Sequence, residues 1–370
     1  MYINKISLKN FRNYSSATIA FSPGYNFLTG DNGVGKTNIL EAVSVSSNIK
    51  SFRNSHDDDL IHWGDEWYYC VSEVNECENS LFEVGYSRET GKVKKKLKID
   101  KNEVRKASEY FGKLLSVAIS PEDINLIGGP PETRRRFFDG VFSKVDKEYY
   151  NTLISFRKTL TSRNRVLRDL KESRNAFNSH HVDTWNRIFA ELASGLIKKR
   201  TMYISEFSSV FTGSYNNISG GEFSPYIKYY NNAKCMEVDE IIYKLENSMK
   251  KDIITGSTTV GPHRDDYITV NENSMNFQNF SSQGQRRTAS ISLKAAELSF
   301  LESRLKKKAV ILVDDIFSEL DDKRRRNLLV FLTGGNQVIF SMIDSREFLI
   351  HELKPYKIYS IEKNGVIREK

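Results

Sequence analysis

Eight residues between an apolar run and an amphipathic one set most of what this chain can fold into. Gly30-Asp31-Asn32-Gly33-Val34-Gly35-Lys36-Thr37 fits the template G-x-x-x-x-G-K-[ST]. In that template glycines turn the backbone tightly and aim its N–H groups inward at phosphate oxygens. The preceding Tyr25-Asn26-Phe27-Leu28-Thr29 reads as a strand, and Thr37-Asn38-Ile39-Leu40-Glu41-Ala42-Val43 begins a helix. Strand, loop and helix in this order make a phosphate cradle, to which the helix N-terminus adds partial positive charge. Such a cradle holds a nucleoside triphosphate such as ATP. Lys36 reaches its β and γ phosphates, while the Thr37 hydroxyl suits Mg²⁺, a hard cation that takes oxygen ligands.

With 370 residues, 39 % hydrophobic and 12 % aromatic, the chain can bury a sizeable core and divides into two or three lobes. No run approaches the roughly 18 consecutive apolar residues of a membrane helix. Met1-Tyr2-Ile3-Asn4-Lys5-Ile6 enters a strand-like alternation directly, so a cytoplasmic protein with no signal peptide and no membrane partner is expected. Cys70, Cys77 and Cys235 lack metal-ligand spacing and read as free thiols of a reducing compartment.

Along the chain, residues 67–75, 80–87 and 92–99 alternate in the manner of strands. From Pro131 to Thr212 the pattern turns helical, with Leu153, Phe156, Leu160 and Leu167 at three-to-four spacing. The stretch from Arg163 to Asn178 is polar enough for an exposed turn between helices. Strand and helix alternation returns from residue 255 to 370. The expected division is 1–120, an N-terminal lobe with the phosphate loop and a β subdomain; 121–250, an inserted helical lobe; and 251–370, a C-terminal lobe.

Net charge is +8, enough to draw polyanions. Lys92, Lys94, Lys96 and Lys98 recur at every second position, so a strand there puts all four ammonium groups on one face. That face is either a solvated edge that discourages aggregation or a polyanion-binding surface. Arg134-Arg135-Arg136 forms a second basic cluster at a helix start.

Ala309-Val310-Ile311-Leu312-Val313-Asp314-Asp315 is a buried parallel strand by its uninterrupted apolar run, and it ends in two carboxylates. Ligands of open α/β sheets lie beyond the carboxyl ends of the strands. Asp314 is therefore placed to hold Mg²⁺, directly or through water, and Asp315 to face the γ-phosphate as a candidate general base. An N-cap or turn role remains the alternative for Asp315. Ser281-Ser282-Gln283-Gly284-Gln285 opens a further helix, where a serine alone reads as an N-cap. His263, within Gly261-Pro262-His263-Arg264-Asp265-Asp266, reads as structural: the segment carries turn chemistry, and no second histidine or cysteine lies at metal spacing.

Phosphate loop, Ser-x-Gly-Gln helix start, Asp-Asp strand end and Ser318-Glu319-Leu320-Asp321 occur in the order of the ATP-binding-cassette (ABC) superfamily, which the chain resembles. Roughly 245 positions separate Thr37 from Ser282. That insertion is similar to the SMC-like branch of DNA-maintenance ATPases, although sustained a/d heptads are lacking. Within it, the chain resembles the RecF family of bacterial recombinational repair ATPases. The carrying residues are Leu8-Lys9-Asn10-Phe11-Arg12-Asn13-Tyr14, Ser120-Pro121-Glu122-Asp123, Arg134 to Asp139, Gly261 to Asp266, and Ser282-Gln283-Gly284-Gln285.

The resemblance implies an α/β fold: an ABC-type P-loop ATPase head with a mixed β-sheet subdomain and an inserted compact helical lobe, without a long coiled coil. It implies ATP and Mg²⁺ as ligands, with Lys36, Asp315 and Ser282 in the catalytic machinery. The residues from Gly30 to Thr37, together with Arg12, would contact ATP, although Arg12 also fits a plain surface arginine. Ser282 and Gly284 would reach the ATP held by a second copy in an ATP-dependent head-to-tail homodimer.

Implied too are DNA binding at duplex or single/double-strand junctions with little sequence preference, RecO-like and RecR-like partners, recombinase loading at gaps, and a link to SOS induction. Lys92, Lys94, Lys96, Arg134, Arg135 and Arg136 are the candidate DNA contacts. Many cassette ATPases have glutamate where this chain has Asp315, and Gln337 to Asp344 ends without a histidine, leaving Ser341. Slow turnover, a switch rather than a motor, is therefore expected. A transporter-type ABC subunit or a soluble P-loop NTPase that does not act on DNA is the alternative.

Overall fold

The structure, a computed structural model, describes every residue except 77, 89–90, 92, 173–179, 222, 318–319, 333, 344–352, 354, 364–365 and 370. Two alternating runs open it. β1 (Tyr2–Phe11) and β2 (Tyr14–Ala20) pair antiparallel across a turn at Arg12 and Asn13, with Ile6, Leu8 and Phe11 buried. β3 (Tyr25–Thr29) leaves for another sheet. β4 (Trp67–Asn75), β5 (Asn79–Ser87), β6 (Lys94–Ile99) and β7 (Asn102–Glu103) extend the first into an antiparallel sheet of order β2-β1-β4-β5-β6-β7.

After β8 (Ser116–Ile119), β9 (Tyr226–Tyr230) and β10 (Asp266–Val270) form a separate antiparallel ribbon. β11 (Val310–Asp314), β12 (Val338–Met342), β13 (Tyr356–Ile361) and β14 (Ile367–Glu369) then join β3 and β8 in the order β14-β13-β3-β12-β11-β8. That sheet is parallel from β13 to β8, with β14 antiparallel at its edge. Every residue of β3, β11 and β12 is buried, as a parallel strand covered on both faces requires.

The chain divides into two compact units. One comprises Met1–Asp123, Asn217–Gly220 and Ile291–Lys370; the other Ile124–Asn216 and Gly221–Ser290. The expected stretch 251–370 is thus shared between them. In the first unit, the helix Lys36–Asn48 touches β1, β4 and β5 of one sheet and β8, β11 and β12 of the other. Serines make that approach close. Ser44, Ser46 and Ser47 are buried, and Ser47 Oγ bonds back to the Val43 and Ser44 carbonyls and across to Ser116 Oγ at 2.5 Å.

The second unit packs the helices Pro131–Val145, Lys147–Glu172, His180–Ser219 and Val238–Thr255 with the β9–β10 ribbon. Its interior is organised by arginines. Arg200, 2 % exposed, donates to Asp139 and Asp265 and to the Pro262 carbonyl. Arg163, fully buried, donates to Asn186 Oδ1 at 2.9 Å, Asp252 at 2.9 Å and Thr258 Oγ1 at 2.7 Å. This corrects the expectation of an exposed turn starting at Arg163. The helix runs on to Glu172, with Arg163 and Leu167 facing inward while Arg165, Arg168, Asp169, Lys171 and Glu172 face water, and residues 173–179 lie outside the described set.

The three arginines of the cluster differ in their surroundings. Arg134 makes a two-pronged pair with Asp266, at 2.8 Å for both contacts, and Arg135 donates to the Asp265 carbonyl at 2.7 Å. With those partners, Arg134 and Arg135 stitch the helix start to the β9–β10 ribbon, Arg134 buried and Arg135 half-buried. Arg136 remains on the surface beside Glu132.

His263 lies between Phe156 and Phe189, with Nε2 hydrogen-bonded to the Thr258 carbonyl at 2.8 Å. Burial lowers its pKa to about 4. The unfolded histidine takes up a proton near pH 6.5, which the folded one refuses until about pH 4, so this group's contribution to stability is lost as pH falls through that window. His263→Gln should flatten the dependence. The check is urea unfolding of parent and variant at pH 7 and pH 4.5, where the stability gap between the two proteins should close or invert at the lower pH.

Candidate nucleotide site

β3 ends at Thr29 and the chain turns through Gly30 and Gly35, whose φ angles of 148° and 113° lie in the region that favours glycine. A Cβ on Gly35 would also stand 2.5 Å from Asn13 Nδ2. The loop closes on Lys36, which is buried and donates through Nζ to the Gly30 and Asp31 carbonyls at 2.6 and 2.7 Å. Burial lowers the pKa of this ammonium, and the charges of Asp315, Asp314 and Asp31 oppose the shift. Thr37 Oγ1 donates to Asp314 Oδ1 at 2.8 Å. Two motifs 277 positions apart therefore meet at one hydrogen bond.

Asp314 ends β11, and burial raises its carboxyl against hydrogen bonds from Thr37 and Ser341. Asp315 follows with φ of 44°, a left-handed conformation uncommon for a non-glycine residue. Its N–H donates to the Ser341 carbonyl at 3.1 Å, so the chain leaves the sheet sharply at that point. Ser318 and Glu319 lie outside the described residues.

Magnesium fits this oxygen pair. The Thr37 hydroxyl and Asp314 carboxylate are hard donors, and Mg²⁺ in such sites takes one or two protein oxygens and completes its shell with phosphate and water. Among the described residues no cluster of three His, Cys, Asp or Glu offers a fuller cage.

Two consecutive residues brace the loop from outside. Asn13 Nδ2 donates to the Val34 carbonyl at 3.0 Å while Asn13 Oδ1 accepts from Asn38 at 2.8 Å, and Tyr14 OH donates to the Gly35 carbonyl at 3.2 Å. Those bonds tie the Val34 and Gly35 carbonyls to the β1–β2 connection. Arg12 instead grips Glu41, donating from Nε and Nη2 at 2.8 Å each, and reaches Ser55 Oγ and the Asp59 carbonyl.

Residues 2–366 match the sequence family described as the RecF/RecN/SMC N terminal domain. A protein of Leptospira interrogans named DNA replication and repair protein RecF is 33 % identical over 93 % of this chain and 92 % of its own length. One of the same name from Agathobacter rectalis is 34 % identical over 99 % of both.

The chain belongs to the RecF family.

A solved structure of the recombination mediator protein RecF with ATP, described as acting in the RecFOR pathway, superposes with a TM-score of 0.90 at 31 % identity, over all of this chain and 97 % of that one. An Smc head bound to part of ScpA shares the fold alone, with a TM-score of 0.55 at 16 % identity. The α/β head expected from the sequence is the RecF-family fold, and its inserted helices are compact.

In this RecF-family chain the site brings together Lys36, Thr37, Asp314 and the following Asp315. Arg12, expected to approach the phosphates, lines a cleft with Asn32, Gly33 and Val34 of the phosphate loop and pairs with Glu41, a fully buried carboxylate that requires a counter-charge. Ser282 caps the helix Gln283–Leu305: its Oγ accepts from Gln285 N–H at 3.2 Å, and Gln285 Oε1 accepts from Ser282 N–H at 2.8 Å. Ser282 is exposed, and it and Gly284 belong to the second compact unit, the phosphate loop to the first. Lys94 and Lys96 are exposed on β6, whereas Lys95, on the other face, bonds to Asp57; Lys92 lies outside the described residues.

Asn13 and Tyr14 stand in the sequence only as part of the resemblance-carrying run Leu8 to Tyr14, and Glu41 as part of the helix start, with no role assigned to any of them. Their local signals are a polar turn between two strands and the single carboxylate of the helix Lys36–Asn48. Asn13→Ala removes both side-chain hydrogen bonds, about 1 kcal/mol each. Titration with ATP or inorganic tripolyphosphate should show both weakened to a similar degree, by roughly five- to thirtyfold.

Proposed function

We propose that this chain is an ATP-dependent switch of recombinational DNA repair and replication maintenance. ATP binds with Mg²⁺ at the phosphate loop. Two copies then pair head to tail, so that Ser282 and Gly284 of each complete the site of the other. Slow hydrolysis undoes the pairing and resets a DNA-bound state that loads recombinase at gaps with RecO-like and RecR-like partners, in a process linked to SOS induction. The reading is carried by the Thr37–Asp314 hydrogen bond, which joins the phosphate loop to the carboxylate end of β11 in a RecF-family fold.

Each residue has one task in that cycle. Lys36 exchanges two loop carbonyls for phosphate oxygens. Thr37 and Asp314 hold Mg²⁺, which spreads the charge that develops on the phosphates. Asp315 takes the proton of the attacking water, and its side chain, one methylene shorter than glutamate, keeps turnover slow. ATP favours the paired state because only there does Ser282 gain a phosphate contact, and cleavage removes that difference. Lys94, Lys96 and Arg136 are the exposed cations proposed for DNA, read through phosphates without base contacts. Among the described residues no helix is long and apolar enough to cross a membrane.

Molecular mass in solution tests the switch. With ATP and Mg²⁺ the parent should double in mass, and duplex DNA should strengthen the effect. Lys36→Arg and Ser282→Arg should stay monomeric, the second while still binding ATP. A parent that binds ATP and stays monomeric throughout overturns the switch. Charge reversal at Lys94 and Lys96 should lower duplex affinity at least tenfold near 0.1 M salt and leave ATP binding intact. Filter binding across a salt series measures this, and unchanged affinity removes β6 from the DNA surface.

A further inference from the structure

Trp63 is 96 % exposed, and among the described residues no large apolar side chain is more so. An indole left in water forfeits one of the larger gains from burial open to any residue. Its backbone, by contrast, is held firmly. Preceding it, His62 donates its N–H to the Asn10 carbonyl at 2.8 Å, and its Nδ1 bonds the Arg12 carbonyl at 2.7 Å. Ile61 bridges to Phe11 of β1, and Asp65 N–H closes the turn on the His62 carbonyl. The result is a fixed turn with a free aromatic face at its tip.

That face borders a cleft of about 620 Å³, lined also by Asn32, Gly33 and Val34 of the phosphate loop and by Lys363. Such a volume suits a small organic ligand. Two polar side chains in the wall, Arg12 and Asn13, are already engaged with Glu41 and with the loop. Beside the Asn32 amide and the Lys363 ammonium, the cleft offers one indole face, that of Trp63 next to the phosphate loop.

We propose that Trp63 is the stacking platform for the base of the nucleoside triphosphate whose phosphates the loop holds. This rests on the ATP reading above and adds to it a residue that senses the base and not the phosphates. Stacking uses ring area and is tolerant of edge chemistry, so Trp63 supplies affinity for a purine without selecting it by hydrogen bonds. Continuity with Asn32, Gly33 and Val34 favours a mononucleotide over a base of single-stranded DNA as the occupant.

Equilibrium binding in Mg²⁺ to the full chain, its Trp63→Ala and its Trp63→Phe variants tests this with three probes: ATP, inorganic tripolyphosphate and oligothymidylate. Trp63→Ala should weaken ATP by roughly tenfold and leave tripolyphosphate unchanged, while Trp63→Phe should restore most of the ATP affinity. Being on the surface, the substitution leaves the fold intact. Unaltered ATP affinity in Trp63→Ala overturns the platform while the ATP reading stands. Equal weakening of ATP and tripolyphosphate also overturns it, since the turn would then act on the loop. Loss of oligothymidylate binding with ATP binding kept assigns the indole to nucleic acid and overturns the proposal. A parent that binds neither ATP nor tripolyphosphate overturns the ATP reading and the platform together.

Discussion

Ten of the thirteen residues in the helix Lys36–Asn48 are buried, so it has almost no side turned to water. A helix enclosed by sheets on two sides cannot shift without disturbing both, and its N-terminus is therefore among the least movable points of its unit. Glu41, with no exposed surface, extends the constraint outward. Its carboxylate accepts from Arg12, from Ser51 Oγ at 2.5 Å and from Ser55 Oγ at 3.2 Å. A buried charge left without such partners would be strongly destabilising. The β1–β2 turn is thereby pinned to the helix, and the phosphate loop lies between two fixed points.

Legibility in the sequence followed locality. The phosphate loop could be read because its requirements lie in consecutive backbone conformations, and β11 because burial on both faces leaves an unbroken apolar run. The lysine alternation in β6 was equally plain, since strand geometry alone sorts Lys94 and Lys96 from Lys95. Partners distant in sequence left no such mark. Arg134 meets Asp266 across 132 positions, and nothing near Arg134 distinguishes it from Arg136, two residues on, which faces water. The Arg12–Glu41 pair left no mark for the same reason: its two members lie 29 positions apart, and Glu41 sits on a helix whose face periodicity assigns to the apolar core.

Composition misleads in a related way. A net charge of +8 invites the image of a uniformly basic surface. Yet Arg134, Arg163 and Arg200 are buried, where they hold parts of the second unit together, each through at least one carboxylate. Charge that organises an interior does not attract a polyanion. Only the exposed remainder sets the long-range field, and it is distributed by fold and not by count.

The strand that delivers the phosphate loop has both its neighbours far along the chain. β3, at residues 25–29, lies between β12 at 338–342 and β13 at 356–361. Contacts of such separation form late, because a long loop must close before any pairing rewards it. During synthesis a ribosome that has released the first 337 residues has released the complete phosphate motif and neither strand that frames it. The growing chain therefore holds a nucleotide loop with no seat until almost all of the sequence has emerged. Until then β3, which in the finished sheet has a partner on each side, is open to chaperones and to mispairing.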